Sequence, residues 1–245
     1  MQDQIIQSDE DRILGGRVAL SQPTTGYRAA IDPVLLAAAC PAIAGELILD
    51  AGCGVGAAGL CVAARTGCSA FGLELQPELA TLARVNGEKN RLGERWQVMD
   101  GSILQPPPVL KEIRFDHVIV NPPYLPAGYG TGEPSPANQE GEARLKDWVD
   151  FALARVRHGG SIVFIHRADR LDEILTLFSG RVGAVVILPL WRRAGDEAKR
   201  IIIGGIKGRK TPLRLLPGID LHNADGKFTT AAEAILRDAQ PIKLW

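Results

Sequence analysis

Along this chain, short runs of aliphatic and β-branched residues alternate with longer stretches whose apolar positions recur every three or four residues. A run that is apolar at nearly every position suits a strand buried on both faces, and the longer period suits helices laid across such strands. The pattern therefore predicts an α/β fold, a parallel sheet covered by helices on both sides. Strands are expected at 46–51 (ELILDA), 69–75 (SAFGLEL), 95–100 (RWQVMD), 115–121 (FDHVIVN), 161–167 (SIVFIHR), 182–189 (VGAVVILP) and 199–206 (KRIIIGGI). Helices are expected over roughly 33–40, 56–66, 77–91, 144–157, 169–179 and 229–239. In "IDPVLLAAA", Asp32 is placed to cap free helix amides, and Pro33 sits at the first helical position, where its missing N–H costs nothing.

At 245 residues, one domain is the expectation: 1–44 as an N-terminal cap segment, 45–208 as the core and 209–245 as a C-terminal extension. The 28 basic and 28 acidic residues cancel, so no global charge recruits nucleic acid. The start "MQDQIIQSDEDR" is polar and acidic, unlike a signal peptide, and no run of about 20 apolar residues spans a membrane. A cytoplasmic protein without membrane contact is expected. Cys40, Cys53, Cys61 and Cys68 form no C-x-x-C pair, and His117, His158, His166 and His222 have no metal-ligand spacing. No metal is expected, and the thiols read as reduced and buried. One long stretch, 125–143, is rich in Gly, Pro and polar residues, as functional loops are. Between 181 and 214 nine basic residues face only Asp196 and Glu197, a local excess of seven charges.

Two strand ends carry candidate chemistry. "LILDAGCGVGAAGL" is a strand, a glycine turn and a helix start. Gly52, Gly54 and Gly56 permit tight geometry and close ligand approach, and the helix start offers unpaired amides. Residues 54–59 satisfy G-x-G-x-x-G, a weak signal by itself, and Glu74 ends the next strand 22 residues beyond Gly52, where an acid can bind ribose hydroxyls. Asp50 before the glycines would repel a pyrophosphate and favour a cationic group, which tilts the ligand from NAD toward S-adenosylmethionine.

The second strand end is "FDHVIVNPPY", where a core strand stops at Asn121, Pro122, Pro123 and Tyr124. Ligands of open parallel sheets sit at the carboxyl ends of the strands, and the expected strand order sets this end beside the glycine turn. An exocyclic or carboxamide nitrogen is a poor nucleophile, because its lone pair is delocalised. The Asn121 side-chain oxygen and the Pro122 carbonyl could accept its two N–H bonds and turn it toward a methyl donor. The prolines restrict the corner, and Tyr124 offers a π-face to a planar group.

"DAGCGVG", Glu74 and "NPPY" resemble the class I S-adenosylmethionine-dependent methyltransferases that modify planar nitrogens. "LGGRVALSQPTTGYRAAIDPVLLAAA" and "PLWRRAGDEAKRIIIGGIKGRKTPLRLLPGIDLHNADGKFT" look like the family of the tRNA(Val) adenine-N6 methyltransferase, with its small methyltransferase domain. The resemblance covers about 12 to 239 and implies a Rossmann-like, seven-stranded, mostly parallel sheet with its last strand antiparallel. It also implies S-adenosylmethionine as cofactor, RNA and specifically tRNA as partner, and adenine N6 as acceptor. Asp50, Ala51, Gly52, Cys53, Gly54, Gly56, Glu74, Leu75, Asp100, Gly101, Ser102 and Asn121 would then line the cofactor site. Tyr27, Arg28 and Asp32 match the family's N-terminal motif and would close it, and Asn121, Pro122, Pro123 and Tyr124 would hold the base. Relatives place an acid after the Gly that follows the third strand, whereas "MDGSIL" here puts Ser102 at that position, two residues beyond Asp100.

Other readings are a protein glutamine-amide N-methyltransferase, a non-catalytic S-adenosylmethionine-binding protein, and an NAD-dependent enzyme. The first usually carries an N-terminal helical module, for which some 45 residues leave little room. An intact Asn-Pro-Pro-Tyr opposes the second, and the third lacks a catalytic His or Tyr-Lys pair near the strand ends.

Overall fold

The computed structural model describes residues 8–24, 28–124 and 142–245. In chain order these form β1 (Ser8–Ile13), β2 (Val18–Pro23), α1 (Asp32–Ala39), β3 (Leu47–Ala51), α2 (Ala57–Thr66), β4 (Ser69–Glu74), α3 (Pro77–Lys89), β5 (Trp96–Asp100), α4 (Pro108–Glu112), β6 (Phe115–Val120), α5 (Leu145–Arg155), β7 (Val156–Arg167), α6 (Leu171–Phe178), β8 (Val182–Trp191), β9 (Arg200–Lys207), β10 (Arg214–Leu215), β11 (Ile219–Asp220) and α7 (Thr230–Leu236). The main sheet runs β10-β8-β9-β7-β6-β3-β4-β5, with β11 also on β8. β9 is antiparallel to both neighbours and every other pairing is parallel. The seven expected strands are β3 to β9. β10 and β11, two residues each, extend the outer edge of β8 and bring the sheet to nine strands.

Both faces of the central strands are buried, which is why they read as unbroken apolar runs. Ile48, Ile119, Val163 and Ile165 face a core with α1, α2 and α7, while Leu49, Val118, Val120 and Phe164 face one with α5 and α6. β7 starts at Val156, earlier than expected, because the chain leaves α5 directly into pairing with Phe115 before a bulge restores the register at Ser161.

The hairpin β1–β2 was not expected within the N-terminal segment. Its first strand, SDEDRI, is almost wholly polar and lies exposed or half-exposed, so no apolar period marks it. Two side-chain amides, Asn86 of α3 and Asn90 just after it, hold the second. Asn90 exchanges hydrogen bonds with Ala19, at 2.9 and 2.7 Å, and Asn86 with Ser21, at 2.6 and 3.0 Å. Fully buried Asn86 also donates to the Val55 carbonyl at 2.9 Å, tying the hairpin to the glycine turn.

Asp32 does not cap α1: the helix is preceded by Ile31 and has no side-chain cap. Its carboxylate is turned instead toward Tyr124 and Arg200. No helix among the described residues is long and apolar enough to cross a membrane.

Candidate active site

β6 lies beside β3 with Ala51 opposite Val120, so the residues that follow, Gly52 and Asn121, leave the sheet side by side. β4 flanks β3 on its other edge and delivers Glu74 to the same end. The turn after β3 uses positive φ at Gly52, Gly54 and Gly56 (71°, 56° and 88°), a region that side-chain-bearing residues rarely adopt. Its amides point at the neighbouring strand: Gly52 and Cys53 donate to the Leu73 carbonyl at 2.8 and 3.0 Å, and Gly54 donates to Glu74 Oε2 at 2.8 Å. Glu74 Oε1 accepts from the Gln76 amide at 2.9 Å. Burial pushes the Glu74 carboxyl upward, and the Gln76 and Gly54 amides oppose that. With the Leu75 amide also on the carboxylate, a lone pair is left for a ligand hydroxyl.

Over this end of the sheet lies a cavity of about 460 Å³. Of the residues singled out in the sequence, Gly52, Gly54, Glu74, Leu75, Gly101, Ser102, Asn121 and Pro123 line it. Asp50, Ala51, Cys53, Gly56, Asp100, Pro122, Tyr124 and Arg28 are not among its lining residues, and Tyr27 and loop residues 125–141 lie outside the described residues. Leu79, Ile103, Leu104 and Trp148 also line it and carry no recognisable sequence signal. Trp148, from the first turns of α5, packs on Gly52, where an added Cβ would stand 2.7 Å from the indole. Leu75 and Leu104 are 66% and 41% exposed, a large apolar surface beside a polar end formed by Glu74, Ser102 and Asn121. Such a division suits a ligand with a flat apolar ring, a hydroxylated sugar and a charged tail.

Asp50 differs most from its expected place. It is 1% exposed beneath the turn and accepts the Gly59 amide of α2 at 2.8 Å, so it faces the helix rather than the cavity. Burial pushes its carboxyl up to about 7, with the Gly59 hydrogen bond opposing and Glu74 adding to the rise. Gly59 is small for a packing reason: a Cβ there would stand 2.4 Å from the Trp96 ring. That ring is pinned by its Nε1 donating to the Ala83 carbonyl at 2.8 Å. The third glycine of the G-x-G-x-x-G match thus makes room for an indole.

Asp100 pairs with Arg84 at the edge of the sheet, whereas Ser102 lines the cavity and accepts the Leu104 amide at 3.1 Å. Arg28 bridges Asp9 and Asp11 of the hairpin, at 3.0 and 2.5 Å, because those two exposed carboxylates are its nearest counter-charges.

The Asn121 corner is backed by three further side chains. The Tyr124 hydroxyl stands 2.8 Å from Asp32 Oδ2 and 2.5 Å from Asn121 Oδ1. Arg200 donates to the same Asp32 oxygen at 3.3 Å and places its guanidinium 4.3 Å from the Tyr124 ring centre. One ring face of Tyr124 is therefore taken by Arg200. His166, fully buried on β7, meets the ring edge to face at 5.5 Å, and burial lowers its pKa to about 4.

The basic segment divides in space. β8 runs parallel to β6, so Arg192, Arg193, Lys199 and Arg200 lie at the Asn121 end of the sheet. Arg181, Lys207, Arg209 and Lys210 lie at the opposite end, about 30 Å away along a ten-residue strand. At that far end Arg181 pairs with Asp150, and Lys207 donates to carbonyls of Leu153 and Val156. Among the described residues, no cluster of three or more His, Cys, Asp or Glu is arranged to hold a metal.

Residues 30–131 match the family model described as "Methyltransferase small domain". Over 203 residues the chain is 27% identical to the tRNA1(Val) (adenine(37)-N6)-methyltransferase of Aeromonas hydrophila, covering 81% of this chain and 84% of that protein. A protein of the same name from Haemophilus influenzae is 29% identical over 230 residues, covering 89% of this chain and 94% of the other. Among solved structures, that of a predicted O-methyltransferase, protein Atu636 from Agrobacterium tumefaciens, matches with a TM-score of 0.72 at 26% identity, over 86% of this chain and 98% of the other.

Proposed function

Starting from a chain that carries the methyltransferase small domain and belongs to the S-adenosylmethionine-dependent methyltransferases, we propose that it methylates the exocyclic N6 of an adenine in RNA, specifically tRNA. The observation that carries this reading is the shared cavity: Asn121 lines the same space as Gly52, Gly54 and Glu74. Glu74 would hold the ribose of the cofactor, the exposed Leu75 and Leu104 would cover its adenine, and Gly52 and Gly54 would let its methionine portion approach the backbone. When bound, the cofactor supplies an electrophilic methyl group on a positively charged sulfur.

The chain's own contribution is placement of the acceptor. The Asn121 carbonyl oxygen and the Pro122 carbonyl accept the two N–H bonds of the adenine amine, which holds its nitrogen toward the methyl group. The nitrogen would gain the methyl group as the sulfur–methyl bond breaks and its electron pair stays on the sulfur, leaving S-adenosylhomocysteine, and would release one of its two protons to solvent. The names of the curated relatives support adenine as the base and tRNA as the carrier. Phosphates of the RNA would meet Arg192, Arg193 and Lys199, which lie at the Asn121 end of the sheet, rather than the whole basic segment.

Asn121→Ala tests this reading. Transfer to RNA should fall by at least a hundredfold, on the order expected for loss of a positioned hydrogen-bonding group, while calorimetric affinity for S-adenosylmethionine changes little. Retained transfer would refute the role of the amide.

A further inference from the structure

The ionisable groups around the cavity are all of one sign. Among the described residues that line it, Glu74 and Glu142 carry carboxylates and none is Lys, Arg or His. Arg144, two residues beyond Glu142, is not in the lining, and the sequence of 125–141 contains no Lys, Arg or His. Asp50, the acid that the sequence offers to a cationic group, faces α2 instead. Glu74 is engaged by the Gly54 and Gln76 amides. Glu142 is exposed, and among the described residues its carboxylate has no ion pair. It is the cavity's free negative charge.

Glu142, Ala143 and Trp148 all line the cavity and come from one stretch, which leads into α5 and forms its first turn. Trp148 sets that stretch against the glycine turn: a Cβ added to Gly52 would stand 2.7 Å from Cη2 and 3.0 Å from Cζ3 of the indole. The indole Nε1 is buried, so the ring meets Gly52 with its benzene carbons. A carboxylate and an electron-rich ring share one preference, for positive charge.

We propose that Glu142 and Trp148 form a cation-selective wall that binds the positively charged sulfur of S-adenosylmethionine. This deepens the proposed function and rests on its placement of the methionine portion against Gly52 and Gly54. Once the methyl group has left, the sulfur is a neutral thioether and the wall no longer attracts it. The wall therefore weights the site toward the donor and against S-adenosylhomocysteine, its own product.

Calorimetry on the whole chain without RNA tests the wall with three ligands: S-adenosylmethionine, S-adenosylhomocysteine and sinefungin, which carries a protonated amine in place of the methylated sulfur. Glu142→Gln changes an exposed side chain and leaves the fold intact. It should weaken the two cationic ligands about fivefold, the scale of one charge pair in a partly solvated site, and leave S-adenosylhomocysteine within about twofold. Trp148→Leu should lower the preference for the cationic ligands about threefold, whereas Trp148→Phe, which keeps a π-face, should hold it. If Trp148→Leu does not fold, Glu142→Lys decides, because it should weaken the cationic ligands more than Glu142→Gln does. Equal weakening of all three ligands would make both residues packing elements and overturn the proposal, as would an unchanged preference in Glu142→Gln. The acceptor takes no part in these titrations. Methyl transfer to a different base would remove the proposed function and leave the wall standing, while an unchanged preference would leave Asn121 as the acceptor site.

Discussion

Asp50→Asn should make the folded chain more stable at neutral and alkaline pH, and the gain should depend on pH in a way set by one buried carboxyl. Asp50 is 1% exposed and accepts the Gly59 backbone amide, and burial raises its pKa from 3.8 to about 7. Between those two values the folded chain keeps a proton that the unfolded chain has released, so stability falls as pH rises through the window and levels off above it. At about 1.4 kcal/mol for each tenfold change in proton affinity, the total loss is capped at about 4 kcal/mol, and somewhat more than half of it falls between pH 5 and pH 8. Relaxation and water penetration bring the real value below that cap. Asparagine keeps an oxygen to accept the Gly59 amide and does not titrate. Urea denaturation of both proteins at pH 5, 6, 7 and 8 should show the variant's advantage growing by about 2 kcal/mol across the series. A constant difference across this range would show that Asp50 remains ionised at little cost, and the assignment of a buried, uncompensated carboxyl beneath the glycine turn would be wrong.

Two other outcomes follow from the packing and the charge map. Gly59→Ala places a methyl group 2.4 Å from the Trp96 ring, which is anchored to Ala83, and should cost about 1–3 kcal/mol in denaturant titrations, as overpacking of a filled core does; an unchanged midpoint would mean that the ring moves aside freely. Replacing Arg192, Arg193 and Lys199 together by Ala should weaken tRNA binding and reduce the slope of log affinity against log salt by about two to three, whereas replacing Arg209 and Lys210 should leave both nearly unchanged. Equal effects from the two sets would refute the division of the basic segment between the ends of the sheet.

Much of the core was legible because strands buried on both faces leave an unbroken apolar signal, and β3 to β9 all carry it. β1, β10 and β11 do not. The first is polar and depends on Asn90 and Asn86 holding its partner strand, and the others are two-residue pairings that only the finished edge of β8 can template. At the site, Gly52, Glu74 and Asn121 could be placed because each ends or follows a strand. Trp148 could not, since its place in an amphipathic helix looks like any core indole. Asp50 and Gly59 show the limit most sharply. Both occupy positions that suggest ligand contact, yet they bond to each other and make room for Trp96. The basic residues of 181–214 are neighbours in sequence but lie at the two ends of an antiparallel pair, a separation that no count of charges reveals.

The central claim, that the cavity bordered by Gly52, Glu74 and Asn121 transfers a methyl group to an adenine amine, is tested most directly by incubating the protein with methyl-labelled S-adenosylmethionine and unmodified tRNA and digesting the RNA to nucleosides. The predicted result is label in N6-methyladenosine alone, and none when Asn121 is replaced by Ala. Label in guanosine, label in a glutamine side chain of added protein, or no transfer to RNA at all would contradict it.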